Sequence, residues 1–274
     1  MTLRVRVAAG VLGVVTVACV VGPWLLPDAN TIDPTNVYAS ASLAHPFGTD
    51  DLGRDVLARL LVGGRVSLLV ALLAALAATV FGGTVGVAAG YLGGAFDRAL
   101  MRTVELMIAI PKLPLFLVLA AVDFGRWFDG AAADVVRLVV IIAAFGWMTT
   151  ARLARAEAKR LKQAGWVKAA ELLGASPTHV LARHVLPGAL STIVVAATLD
   201  LAEFVVYESV LSFLGLGVRP PAPSWGAMLQ NGLTYTRTAP HLFVLPGVFT
   251  GVTIAALLTL GEGLSDRLDP RRQV

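Results

Sequence analysis

Charge is scarce in this sequence and cysteine nearly absent. Asp, Glu, Lys and Arg make up only 15% of 274 residues, against 57% hydrophobic ones, and the mean hydropathy is +0.76. A soluble domain of this size could not leave so much apolar surface in water without aggregating. Cys19 is the single cysteine, so no disulfide forms within the chain, and its place in an apolar run marks an inert buried thiol. No G-x-x-x-x-G-K-[ST] run is present, so nothing here cradles nucleotide phosphates. Ser/His/Asp and metal-ligand spacings are missing too. His179 and His184 stand five residues apart, a poor spacing for chelation from one helical face. The short alternating segments of a membrane barrel are also lacking. Catalysis, resident cofactors and nucleic-acid binding are therefore not expected of this chain.

What the sequence does have is long apolar runs. A span needs roughly 20 apolar residues, and six runs qualify, at about 7–26, 66–90, 101–122, 135–152, 188–213 and 241–261. The expected fold is all-α: a polytopic membrane protein with about six transmembrane helices. Arg4 and Arg6 precede the first run and no small-residue cleavage site follows, so this run reads as a retained span. With the N-terminus inside, the segments 91–100, 151–187 and 262–274 also lie inside, and they hold most of the Lys and Arg. That is the distribution of a protein with both termini in the cytoplasm. Residues 1–65 form an N-terminal span with an external amphipathic segment, and 66–274 the transmembrane core.

Several positions inside the runs stand out. Glu105, Pro111, Lys112 and Pro114 interrupt the third, which must face protein or a cavity. Gly82, Gly86 and Gly90 recur every fourth residue, suited to close helix packing within this chain or against a second subunit. In 45–65, Thr49 or Asp50 can cap a short helix whose Leu52, Val56, Leu57, Leu60 and Leu61 share a face. Asp50, Asp51 and Asp55 there are followed by Arg54, Arg59 and Arg65, which favours ion pairs over a metal site. Asp200 and Glu203 lie one turn apart in the fifth run, and a charge at the bilayer centre costs roughly 2.5–3.5 kcal/mol. They line a translocation path or pair with Lys112, Arg137 or a partner chain. Glu208 is placed in an outer vestibule. In the loop 214–240, Gly215, Gly217, Pro220, Pro221, Pro223 and Trp225 suit a docking or gating surface, or an ordered connector.

The stretch 151–187 is basic and amphipathic. Arg152, Arg155, Lys159, Arg160, Lys162, Lys168 and Arg183 stand against only Glu157 and Glu171. The expected hairpin has one helix over 155–173, stopped by Gly174, and a second capped by Ser176 with Pro177 at its first position, ended by Pro187. It is either a docking element or a solvated loop that enforces topology.

Here the chain resembles the inner-membrane permeases of bacterial ABC importers. Their cytoplasmic signature is E-A-A, three residues, Gly, nine residues, then I-x-L-P. This sequence has Lys168-Ala169-Ala170, Gly174, then His184-Val185-Leu186-Pro187. Lys168 replaces the acid, with Glu171 close by, and His184 replaces the isoleucine. HPFGTDDLGRDVLARLLVGGRVSLL (45–69), ESVLSFLGLGVRPPAPSWGAMLQNG (208–232) and GEGLSDRLDPR (261–271) resemble the C-type permeases of dipeptide and oligopeptide importers.

The resemblance implies a cytoplasmic coupling hairpin, with Lys168, Ala169, Ala170, Glu171, Gly174, Ala175, Ser176, Pro177, Leu186 and Pro187 engaging the ATPases. It implies a second homologous permease, two cytoplasmic ATPases carrying ATP and magnesium, and an extracytoplasmic binding protein. It further implies a site in the bacterial inner membrane and peptides as substrate, with nickel complexes, glutathione or other small solutes as alternatives. A proton-driven carrier relaying through Asp200 and Glu203 would show an internal repeat, and none is evident.

Overall fold

The computed structural model describes residues 2–122 and 130–268, and these form a helical bundle. Its helices are α1 (Leu3–Leu25), α2 (Val56–Leu92), α3 (Gly94–Ile108), α4 (Lys112–Ala121), α5 (Ala131–Lys162), α6 (Gly165–Leu172), α7 (Pro177–Val180), α8 (Leu186–Phe213), α9 (Trp225–Thr234) and α10 (His241–Leu268), with a π-turn at Leu181–Val185. The chain is thus an all-α polytopic membrane protein. Among the described residues, five rods are long and apolar enough to cross a bilayer: α1, α2, α5, the continuous stretch Pro177–Phe213, and α10. Helices α3 and α4 meet the same criterion only as a pair bent by 83°, a broken sixth span or a re-entrant loop. Residues 123–129 of the expected outer loop and the tail beyond Leu268 lie outside the described residues.

Helix α2 is the centre of the bundle and packs along α5, with α8 and α1 on its other sides. Between α2 and α5 the helix faces are stripped to small residues. A Cβ on Gly82 would run into the carbonyl of Trp147, one on Gly86 into the backbone of Ala151, and one on Gly90 into the carbonyl of Arg155. The four-residue glycine spacing is therefore spent inside this chain, not on a second subunit. In lipid, tails are as apolar as leucine, so close backbone approach and dispersion hold the pair. Around this seam Val70, Ala71, Ala74, Phe116, Leu138, Ile142 and Phe204 fill the main core.

The amphipathic surface helix expected over 45–65 does not form. Residues 45–55 run through turns, and α2 begins only at Val56, capped by Asp55, whose carboxylate accepts the Ala58 N–H at 2.7 Å. Asp50 is occupied elsewhere: it accepts the Leu52 and Arg54 N–H groups and pairs with Nε of Arg54 at 2.7 Å and of Arg59 at 3.5 Å. Its acidic neighbours also pair locally, Asp51 with Arg54 and Asp55 with His45. Val56, Leu60 and Leu61 point into a core shared with Cys19 and Trp225 rather than onto a membrane surface.

The third span is not one rod. Pro111 disfavours the α conformation at the residue before it and brings no N–H of its own, so α3 stops at Ile108 and α4 restarts at Lys112. The fourth span extends through the first part of the basic stretch to Lys162.

Gly86→Val should destabilise the detergent-solubilised chain by about 1–3 kcal/mol, since backbone opposes the new side chain. Gly13→Ala, where nothing lies within 4 Å of the new methyl, should leave it unchanged within about 0.5 kcal/mol. Thermal unfolding of the two variants checks both expectations.

Candidate functional site

The basic hairpin is built from short, locally specified pieces. Helix α5 ends at Lys162, the chain turns at Gln163–Ala164, and α6 runs only over Gly165–Leu172, so the expected helix over 155–173 is broken near its middle. Gly174 closes α6 with φ +84, a left-handed conformation that only glycine adopts freely. Its N–H bonds the Glu171 carbonyl at 3.0 Å and the Ala175 N–H bonds the Ala170 carbonyl at 3.1 Å. This pair of bonds is the Schellman arrangement, and it explains why Ala170, Gly174 and Ala175 occur together. Ser176 then caps α7 through the His179 N–H at 3.4 Å, with Pro177 in the first turn.

The second limb does not end at Pro187. It passes through the π-turn and continues as α8 to Phe213. The Leu186 N–H reaches back five residues to the Leu181 carbonyl. Widening the turn there lets the helix absorb a proline that has no N–H to offer. The wider turn also brings residues five apart onto one face: the rings of His179 and His184 meet at 6.0 Å, with Trp166 at 6.0 Å from His184. Spacing counted on an ordinary helix had set these histidines apart.

Val167 and Val180 are fully buried in a small core with Leu161, Val185, Ala189 and Val87, so the hairpin is ordered rather than a loose loop. Lys168, Ala169, Glu171, Ser176, Pro177 and the φ-positive Gly174 face outward. Leu172 and Leu173 are 89% and 88% exposed at the tip. Two leucines so bare at the end of a capped, rigid turn form a ready contact for another protein.

A second polar site lies at bilayer depth. Lys112, the first residue of α4, pairs with Glu203 of α8 at 3.0 Å, and Tyr207 donates its hydroxyl to the same carboxylate. The Lys112 and Glu203 side chains are 21% and 37% exposed, so this pair is open on one side. Asp200 is separate: it is buried and accepts the hydroxyl of Thr150 at 2.6 Å, between α5 and α8. The expectation that Lys112 partners one of these acids is met for Glu203, whereas Arg137 is engaged elsewhere. It pairs with Asp134 at 3.6 Å and donates to the carbonyls of Leu216 and Gly217 at 3.2 and 3.1 Å.

The third region is the end of the bundle opposite the hairpin. Glu208 does not open onto a vestibule. It is fully buried, with the Ser212 hydroxyl on its carboxylate at 2.7 Å and Ser67, Ser209 and Ser224 around it. Ser67 in turn accepts the Trp225 N–H at 3.2 Å and Ser224 the Ala227 N–H at 3.2 Å, so the acid braces the start of α9 through hydroxyls. Trp225 is likewise fully buried, its indole N–H on the Leu60 carbonyl at 2.9 Å, and Gly217 packs on Ser212. Gly217, Pro223 and Trp225 thus anchor the segment inside the bundle and cannot serve as an exposed docking face, while Gly215, Pro220 and Pro221 remain at the surface. Of the expected site residues, then, the hairpin set stays together and the acids of the fifth run divide among three environments. Thr150, Ser67, Ser212 and Ser224 escaped the sequence reading because an isolated hydroxyl in an apolar run has no distinguishing pattern.

Comparison with known proteins follows the same outline. The family described as binding-protein-dependent transport system inner membrane component matches residues 82–274. The oligopeptide transport system permease protein OppC of Haemophilus influenzae is 33% identical over 264 residues, covering 95% of this chain and 82% of that protein. The glutathione transport system permease protein GsiD of Pectobacterium atrosepticum is 36% identical over 271 residues, covering 98% and 87%. GsiD of Escherichia coli O6:K15:H31 is 36% identical over 257 residues, covering 93% and 82%.

Lys112→Ala should destabilise the purified chain by leaving Glu203 without its cation, and Lys112→Ala/Glu203→Ala should recover part of the loss. A double-mutant cycle on thermal unfolding should give a coupling of roughly 0.6 kcal/mol, the common size for polar contacts between membrane helices. A coupling of zero would mean that the pair is incidental.

Proposed function

The chain belongs to the family of binding-protein-dependent transport system inner membrane components, and from that footing we propose that it forms, with a second homologous permease, the path for short peptides in an ATP-driven importer. It is a membrane transport subunit, the permease of an ABC importer. Its relatives are named for oligopeptide and for glutathione transport, and glutathione is itself a small peptide, so a peptide-sized solute is the substrate class that fits both. An extracytoplasmic binding protein delivers that solute. Two cytoplasmic ATPases, carrying ATP and magnesium, supply the energy that this chain has no phosphate loop to capture.

The observation that carries this reading is the hairpin. Residues 165–185 form a capped, packed turn that lifts Leu172 and Leu173 clear of the bundle, as a grip for a soluble partner would require. The basic residues around it support a cytoplasmic setting for this end and, with it, for both termini. Movement of the ATPases then displaces the hairpin and with it α5 and the α7–α8 rod, and the bundle reorients between outward and inward access.

The half-open Lys112–Glu203 pair supports a place on the path. A charge pair exposed on one side cannot face lipid at little cost. Non-helical backbone at bilayer depth, as at 109–111, is tolerated only against protein or a water-filled cavity. Both features occur at one spot, so this face meets the partner permease or the passage between the two. Asp200 and Glu208, being buried, act in support of the helices.

Affinity purification of the chain from its native membrane should bring down a second permease and two ATPases, and its absence from such a complex would overturn the proposal. Gly174→Val should cost about 1–3 kcal/mol in the turn and reduce uptake of labelled peptide in cells, with Gly174→Ala less affected. Unaltered uptake by the valine variant would count against the hairpin as the contact.

A further inference from the structure

The hairpin is covalently continuous with α5 and, through the π-turn, with α8, but has no covalent link to α2, the helix at the centre of the bundle. Displacement of the hairpin therefore reaches α2 across non-covalent contacts, among them the α2–α5 backbone seam and the packing of Val87 in the hairpin's core. A polar link between α6 and α2 is made at Tyr91. Tyr91, in the last turn of α2 and 4% exposed, donates its hydroxyl to the Glu171 carboxylate on α6 at 2.8 Å, across eighty residues of sequence. Lys162, the last residue of α5, donates its ammonium to the Tyr91 carbonyl at 2.6 Å and lies 5.2 Å from the centroid of the Tyr91 ring.

The chemistry suits a firm joint. The last four carbonyls of a helix have no partner within it, and the end of the helix carries a partial negative charge. Helix α2 has no basic residue in its own last turn. Lys162 supplies that cation from the neighbouring helix, so α2 ends on a charge-assisted bond to α5. Beside it, a Cβ on Gly90 would strike the Arg155 carbonyl, so the two helices are already in backbone contact where Tyr91 reaches across. The Tyr91 ring sits in the same small core as Val167 of α6. The acid that the tyrosine meets is Glu171, one turn beyond Lys168, in the last turn of α6 at the end that Gly174 stops.

From this we infer that Tyr91, held by Lys162 and bonded to Glu171, is the positioning residue that transmits movement of the hairpin into α2. The inference rests on the importer reading above. With the joint intact, α2, α5 and α6 move as one body at the inner end of the bundle. With the hydroxyl removed, α6 can shift without α2, and a larger share of the ATP hydrolysed moves no solute.

Tyr91→Phe removes one oxygen and keeps the ring in its core. The test uses the complete transporter in liposomes, with its second permease, both ATPases and the binding protein, and measures peptide uptake and ATP hydrolysis together. In Tyr91→Phe the ATPases should remain attached and uptake per ATP should fall about five-fold, the worth of one hydrogen bond. Glu171→Ala should give a similar loss, and the double variant should be no worse than either single one, because both changes cut the same bond. Glu171→Gln, whose amide oxygen still accepts, should lie closer to wild type than Glu171→Ala. Uptake per ATP unchanged in Tyr91→Phe, or losses that add in the double variant, would overturn the link. If the wild-type chain itself brings no ATPases with it, the importer reading fails first, and that result is separate because it is seen before any substitution is made.

Discussion

The close approach of α2 to α5 sets the rest of the architecture. At Gly82, Gly86 and Gly90 one backbone lies against the other with no room for a methyl group, so the two helices have a single register. Three polar contacts along the bundle are anchored on this pair. At its hairpin end sit Tyr91 and Lys162; midway, Thr150 of α5 meets Asp200 of α8; toward the far end, Ser67 of α2 joins the cage around Glu208. In a solvent that gives apolar surfaces no reason to associate, shape at a few small residues does the work that a greasy core does in water.

Polar groups within the bundle follow a consistent rule. Buried acids are met by donors: Asp200 by Thr150 of α5, Glu208 by serines of its own helix and by Ser67 of α2, and Asp134 by Arg137 of its own helix and Arg219 of the loop after α8. Such contacts specify which helix faces which, a choice that apolar packing alone leaves open. Glu203 departs from the rule, since its ion pair with Lys112 is half open. It occurs where α3 and α4 are broken apart at Pro111, so that the least regular backbone and the least shielded charges coincide.

Local features were legible in the sequence, and features made by distant residues were not. Gly174, Ser176 and Pro177 announced their turn because a left-handed residue, a cap and a first-turn proline depend on neighbours within four positions. The glycine periodicity was equally plain, yet its partner was not, because spacing shows that a face is flat without showing what lies on it. Residues 45–55 misled: they have the pattern of a helix start, but long-range pairs such as Arg59 with the Ala29 carbonyl at 3.2 Å, and the Asp50 bonds, fold them into turns. Trp225 beside a run of prolines suggested an exposed surface, and its burial depends on Leu60, on a different helix. The π-turn was hidden because it adds one residue to a helical turn without any residue type that requires it.

The stretch from Pro177 to Phe213 runs for 37 residues without interruption. At 1.5 Å per residue such a rod is about 55 Å long, well beyond the roughly 30 Å of hydrocarbon it crosses. It is a lever whose fulcrum is the bilayer. A tilt of about 10° about its middle swings each tip by about 5 Å in opposite directions, by simple geometry on that length. A push on the hairpin end therefore reaches the opposite end of the rod as a sideways stroke, carried by the stiffness of a single helix.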